Sequence, residues 1–250
     1  MRPYLAGERP AKRAVIDLHS HILPGLDDGA RTPAASLALA HAAAKVGVTT
    51  IAATPHVRDD FPTSPDRMEA ELAALRERLA SEGSSINVVA GGEVALDRLE
   101  RLTPEDMSRF ALGGSGRYLL VEFPYYGWPF TLEGQLRRLR AQGFFPVLAH
   151  PERNPDVQST PERVQRLRRA GALVQVTIDS LSGALGRRAR RAAVDLLALG
   201  AIDLLATDAH SPEAYALGRA ALADAVGDRG LARRLTLDVP AAIIAGEPVD

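Results

Sequence analysis

The sequence predicts an α/β fold, a distorted seven-stranded parallel (β/α)7 barrel, on three observations. Seven short apolar runs alternate with helical stretches. No linker or compositional break separates them, so 14–250 reads as one domain behind an N-terminal arm, 1–13. Side chains able to do chemistry follow runs one, two, three, four, five and seven. Only a closed barrel gathers that many strand ends around one centre; an open sheet strings them along an edge.

The first strand lies in AVIDLHSHILPGLDDG, 14–29, which delivers Asp17, His19 and His21 at alternate positions and then Asp28. Alternate residues of a strand share a face, so one carboxylate and two imidazoles are expected to point one way. Thr32-Pro33 reads as an N-cap followed by proline at the first helical position, opening a helix that runs to Val46 and stops at Gly47. VTTIAA, 48–53, is β-branched and apolar, as a strand buried on both faces should be, and runs into Thr54-Pro55-His56. A Pro-, Asp- and Ser-rich loop, 57–65, precedes a charged amphipathic helix, 66–81. SINVVAGGE supplies the third strand, ending at Glu93 behind two glycines expected to let backbone pass close to an ion.

A short helix over 104–110 leads to RYLLVEFP, the fourth strand, which ends at Glu122. The stretch 132–142 is helical, Gly143 breaks it, and FFPVLAHPER is a fifth strand ending at His150. Thr160-Pro161-Glu162 repeats the cap-and-proline start, and Gly171 closes that helix. ALVQVTID is the sixth strand. An arginine-rich helix, 187–199, leads through Gly200 to AIDLLATDAH, the seventh strand, ending at Asp208 and His210. Short helices over 228–246 are expected to cover the C-terminal side.

A chain of 250 residues, 46% of them hydrophobic, buries a sizeable core in one domain. A net charge of -1 argues against a general nucleic-acid or membrane-surface binder. No segment has the length of an uncharged membrane span, and the basic start lacks the apolar centre of a signal peptide, so a cytoplasmic location is the expectation. With no cysteine, there is neither a thiolate-ligated zinc nor a cysteine nucleophile.

Of the six histidines, His19, His21, His56, His150 and His210 follow strand ends; only His41 sits inside a helix, on its surface or in its packing. Imidazole and carboxylate without thiolate suit divalent manganese, iron or zinc. The same placement makes Asp28, Glu93, Glu122 and Asp208 candidates.

The motifs D-L-H-S-H (17–21), T-P-H (54–56), G-G-E (91–93), A-H-P-E-R (149–153) and T-D-A-H (207–210) resemble those of the polymerase and histidinol phosphatase (PHP) superfamily. H-I-L-P-G-L-D-D-G (21–29), V-E-F-P (121–124) and A-H-P-E-R are most similar to its bacterial manganese-dependent protein-tyrosine phosphatases of capsule and exopolysaccharide operons. The resemblance runs from Val15 to about Ile244. It implies a barrel of PHP type and a three-metal site, manganese first, with iron or zinc as alternatives. The ligands it implies are His19, His21, Asp28, His56, Glu93, Glu122, His150, Asp208 and His210, with Glu93 bridging two ions. It also implies that Arg153 holds the substrate phosphate and that Asp17 orients ligands from behind them.

Two departures stand out. Val57 follows His56 where the family often has a second histidine, and SPEAY, with Tyr215, follows the D-x-H where it often has an arginine. No arginine occurs there until Arg219, so Arg58 is the candidate replacement. Phe61, Tyr125, Tyr126, Trp128 and Phe130 either wall the site, with Trp128 touching substrate, or pack its rim.

The activity implied is hydrolysis of phosphotyrosine on a protein, the tyrosine-rich tail of a membrane-associated bacterial kinase. Such hydrolysis needs a large part of roughly 20 kcal/mol in transition-state stabilisation. Clustered divalent ions supply it by activating water and neutralising charge. The alternatives are a small-molecule phosphatase such as histidinol phosphatase, and a metal-stabilised binding module without catalysis.

Overall fold

β1 (Val15–Ser20) is buried along its length and pairs in parallel with β2 (Val48–Ala53). Between them α1 (Pro33–Lys45) starts as its sequence dictates: Thr32 Oγ1 accepts from the Ala35 amide at 3.2 Å, and Pro33 fills the first turn. The computed structural model describes residues 14–216 and 225–249. The arm 1–13 and Arg219 lie outside the described residues.

The second strand breaks at Thr54-Pro55, where proline has no amide to give a ladder, and resumes as β3 (His56–Val57). After α2 (Pro65–Ser81) the third strand breaks too, into β4 (Asn87–Val89) and β5 (Glu93–Ala95). The glycines at this second break serve packing. A β-carbon on Gly92 would lie 2.6 Å from the Phe110 ring, and one on Gly91 3.2 Å from the Ala53 carbonyl. The chain continues through α3 (Pro104–Arg109), β6 (Tyr118–Glu122), α4 (Leu132–Ala141) and β7 (Phe145–Ala149). Next come α5 (Pro155–Ser159), α6 (Val164–Arg169), β8 (Leu173–Thr177), α7 (Ile178–Ser182), α8 (Arg187–Ala198) and β9 (Leu204–Ala206).

Among the described residues these strands pair in parallel, in two sheets: β1-β2-β4, and β3-β5-β6-β7-β8-β9. The single seven-stranded ladder expected from the sequence is therefore not what pairs, because strands two and three each break midway: their first halves, β2 and β4, stay with β1, and their second halves, β3 and β5, pair on towards β6. Backbone bonds still link the sheets at the strand ends. Thr54 N–H donates to Ser20 O and Glu93 N–H to Pro55 O, at 2.9 and 3.0 Å. Across the other seam Asp208 N–H donates to His19 O and His21 N–H to Ala209 O, both at 2.9 Å.

Two smaller expectations are corrected. Thr160 makes no side-chain cap; it ends α5, its amide donating to Asp156 O at 3.0 Å, and a 3₁₀ turn (Pro161–Arg163) precedes α6. The sixth strand stops at Thr177, where Glu152 Oε1 accepts from the Thr177 amide at 3.0 Å and from Ser180 Oγ at 2.7 Å, so that Ile178-Asp179 begins α7 instead.

One core cluster lies among strands and surrounding helices. A second, with Ile16, Leu18, Tyr118, Leu120, Val147 and Leu204, is closed off by Val239 and Ile243 of the C-terminal helix Val239–Ala245. His41 is exposed on α1, 3.1 Å from Glu82. Among the described residues no helix is long and apolar enough to cross a membrane.

Candidate metal centre

The C-terminal ends of the strands bring the nine predicted ligands together. Among the described residues they form four overlapping donor groups, each with ligand atoms within 4.8 Å of one another: His21, Asp28, His56 and His210; His19, Glu93 and His150; His19, His21 and Asp208; His56, Glu93 and Glu122. Glu93 belongs to two of them. Its Oε1 is 2.8 Å from His150 Nε2, and its Oε2 is 2.8 Å from His56 Nδ1 and 3.4 Å from His19 Nε2. Asp208 Oδ1 lies 3.2 Å from His19 Nε2 and 3.1 Å from His21 Nε2. Asp28, its side chain half exposed, stands 3.5 Å from His56 Nε2 and 3.3 Å from His210 Nε2.

The donor atoms fit divalent cations. His19 Nε2 and His21 Nε2 face each other at 3.3 Å, and the buried Glu93 Oε2 and Asp208 Oδ1 have no aligned hydrogen-bond donor. Nitrogen and carboxylate donors without sulfur match manganese, iron or zinc. Burial opposes charge on Glu93, but His19, His150 and His56 hold its carboxyl well below the usual carboxylate range. Burial likewise opposes charge on Asp208, whose carboxyl His19 and His21 hold far down. His21 is driven the other way: against its burial, Asp208 and Asp27 raise its affinity for a proton well above that of an ordinary imidazole. Protons shared between imidazole and carboxylate in this way are what a cation displaces on binding.

Residues behind the ligands fix which nitrogen faces inward. Gln175 Oε1 accepts from His19 Nδ1 at 2.9 Å, and the Asp208 carbonyl from His210 Nδ1 at 2.9 Å, so that both Nε2 atoms stand among the donor groups. Asp27 Oδ2 holds His21 Nδ1 at 2.7 Å and accepts from the His56 amide at 3.0 Å, while its Oδ1 accepts from Gly29 N–H at 3.0 Å. Gly29 is pressed against His21; a β-carbon there would come within 2.2 Å of the His21 carbonyl oxygen. Asp27 and Gln175 are not among the residues predicted from the sequence. The signal for Gln175 was a lone amide in an otherwise apolar strand; for Asp27 there was only its adjacency to Asp28.

Asp17 does not share the direction of His19 and His21. Asp17 and Ser20 pair with Ile51 and Ala53, three steps on β1 against two on β2, a bulge that turns the strand. The Asp17 carboxylate accepts from Thr207 N–H at 3.0 Å, Thr207 Oγ1 at 2.5 Å and Tyr215 OH at 2.7 Å, and it belongs to none of the donor groups. It orients the seventh strand end. Tyr215 is buried and spent on this bond, so the position where the family often has an arginine offers no open phosphate contact through its tyrosine.

Arg153 borders the centre. Its Nη2 donates to Asp208 Oδ2 at 2.7 Å and to Thr177 Oγ1 at 3.0 Å, Nη1 is 3.5 Å from Tyr125 OH, and Nε has no partner. Tyr125 stacks on His150 with ring centroids 5.5 Å apart, and burial pushes its phenol up to about 12. Phe61 stacks on His56 at 5.6 Å. Arg58 Nη1 donates to Glu122 at 2.9 Å, while its Nε, 2.8 Å from Asp60, makes no aligned hydrogen bond. Trp128 packs on Phe123 at 5.8 Å and under Arg163 at 4.1 Å. Tyr126 and Phe130 point to solvent. The aromatic rings beside the ligands are thus Tyr125 and Phe61. Two site residues, His150 and Asp208, have positive φ, 39° and 54°, a region sparsely used outside glycine.

Known proteins resemble the chain over nearly this whole architecture. It is 34% identical over 200 residues to the tyrosine-protein phosphatase YwqE of Bacillus subtilis, covering 79% of this chain and 78% of that protein. It is 31% identical over 165 residues to the tyrosine-protein phosphatase CpsB of Streptococcus pneumoniae, covering 65% and 67%. A solved structure from work on those two metal-dependent tyrosine phosphatases superposes with a TM-score of 0.83 at 29% identity, covering 94% of this chain and 96% of that one. Residues 15–231 match the family model described as capsular polysaccharide synthesis, CpsB/CapC, and the chain belongs to that family.

Proposed function

We propose that the chain is a metal-dependent protein-tyrosine phosphatase of PHP type, with three divalent ions, manganese first, held at the mouth of a distorted barrel. The observation that carries this reading is Glu93, buried and shared between donor groups, with Arg153 anchored beside them on Asp208. The ligands are the nine residues gathered there, and the ions supply water activation and charge neutralisation on the phosphate.

Arg153 binds the phosphate. Asp208 and Thr177 pin Nη2 of its guanidinium, and Nη1, 3.5 Å from Tyr125 OH, is the donor it offers to a phosphate oxygen. Tyr125 keeps its proton at neutral pH and offers it at the same edge, while its ring and Phe61 flank the centre at the height of a phenyl leaving group. Tyrosine leaves readily, its pKa being about 10, so a strong general acid is not needed. The physiological substrate we assign is a phosphotyrosine-bearing tail of a bacterial tyrosine kinase in capsule or exopolysaccharide production, met in the cytoplasm.

The test is a side-by-side comparison of kcat/KM on phosphotyrosine peptide, phosphoserine peptide and histidinol phosphate in manganese. Phosphotyrosine should be preferred, and activity should survive thiol alkylation and vanish with chelator. Arg153→Ala should lower turnover by roughly 100-fold to 1000-fold with metal content unchanged, as for loss of one oxyanion donor. Preference for histidinol phosphate by about tenfold, roughly 1.4 kcal/mol, replaces this reading with the small-molecule one.

A further inference from the structure

The face opposite the metal centre, where the strands begin, contains a cavity of about 540 Å3 between the starts of β7, β8 and β9. That volume suits a small molecule. Its charged lining is three arginines, Arg140, Arg168 and Arg169, against one carboxylate, Asp203. Asp203 is fully engaged: Arg168 Nη2 and Nε reach its two oxygens at 2.7 and 3.2 Å, and the Val174 amide donates to it at 2.9 Å. Among the described residues two guanidiniums are left over.

Arg140 is held in place. Its guanidinium carbon sits 3.5 Å from the centroid of Phe145. Its stem crosses Gly171, where a β-carbon would fall 2.9 Å from Arg140 Cγ. Its Nη1 is enclosed and has no hydrogen-bond partner among the described residues. Arg169, exposed at the rim, has none there either. Arg117 adds positive charge 4.9 Å from the same Phe145 ring.

An enclosed N–H without an acceptor costs free energy, and buried polar groups of this kind are normally satisfied by something. A guanidinium held over an aromatic ring presents a fixed fork matched to an oxyanion. We propose that this cavity binds a small phosphorylated molecule, with phosphoryl oxygens on Arg140 and Arg169 and an organic remainder against Ala172, Leu173 and Val249. Two unpaired guanidiniums suit a pyrophosphate or two neighbouring phosphoryl groups better than a single carboxylate. The site shares no residue with the metal centre.

Inorganic pyrophosphate is the probe, titrated calorimetrically into the manganese-loaded protein and into the Arg140→Met, Arg169→Met and Arg153→Met variants. Methionine keeps apolar contact with Phe145 at position 140, and Arg169 is exposed, so that variant decides the matter if Arg140→Met fails to fold. The expected result is a binding component weakened about tenfold or more in Arg140→Met and Arg169→Met but kept in Arg153→Met, with phosphatase turnover unchanged in the first two. Absence of binding up to about 1 mM, a free energy near 4.1 kcal/mol, or binding that follows Arg153 alone, overturns the proposal.

Discussion

Replacing Asp27 with asparagine tests whether residues behind the ligands organise the metal centre. Asp27 accepts three hydrogen bonds, from His21 Nδ1 at 2.7 Å, the His56 amide at 3.0 Å and the Gly29 amide at 3.0 Å. The first two share one carboxylate oxygen and the third takes the other. Whichever oxygen becomes the amide nitrogen, at least one buried N–H then faces another donor. An unsatisfied donor of this kind costs about 1–3 kcal/mol, and loss of the charge weakens the grip on His21. The expected outcome is about 10–100-fold weaker binding of the ion served by His21, Asp28, His56 and His210, with the group of His19, Glu93 and His150 still loaded. Metal titration followed by elemental analysis reads this directly. The melting temperature of the metal-free protein should fall by about 2–4 °C for each kcal/mol lost. Unchanged metal affinity would refute an orienting role for Asp27, and loss of all metal at once would show that the donor groups do not act separately.

Other perturbations separate the remaining parts. Glu93→Ala should release more than one equivalent of metal, because its two oxygens serve two donor groups; elemental analysis showing a full complement would refute the sharing. Gly29→Ala should destabilise the protein by about 3 kcal/mol or more, since the added methyl meets the His21 carbonyl at 2.2 Å; denaturant unfolding measures it, and a loss below about 0.5 kcal/mol contradicts the close approach. On the surface, Arg109 Nε donates to Glu69 at 2.8 Å and holds its carboxyl below the usual range. A depressed folded value gives stability that is present above the unfolded pKa and is lost as pH falls through the folded one. The melting difference between wild type and Arg109→Ala should therefore be visible at about pH 6 and close towards about pH 3, and high salt should shrink it. A difference that persists at about pH 3 points to packing instead.

Much of the fold was legible because parallel strands buried on both faces write themselves as apolar runs, and the helix start at Thr32-Pro33 carries its cap in plain view, whereas the cap at Ser64-Pro65 was hidden in a stretch that reads as loop. The donors were legible because histidine is rare enough for five of six at strand ends to stand out. What stayed hidden depends on partners far along the chain. Asp27 and Asp28 are neighbours of identical chemistry, and only the fold decides that one is buried behind His21 while the other faces solvent. The bulge that turns Asp17 away from His19 has no marker in VIDLHS, since it arises from the register with β2. The split of strands two and three had visible causes, Pro55 and Gly91-Gly92, but a proline at a strand end reads equally well as a stop. Trp128 was ambiguous because its site is decided by Phe123 and Arg163, and the second of these lies 35 positions away.

The left-handed backbone at His150 and Asp208 sets two demands against each other. Main-chain geometry at those positions favours glycine, by about 1 kcal/mol or more each, whereas the proposed metal centre calls for an imidazole and a carboxylate. Selection for stability alone would therefore erase the site from its own strand ends. A laboratory search for heat-resistant variants, run with no demand for turnover, should find gains at positions 150 and 208 that an active-enzyme search never reports.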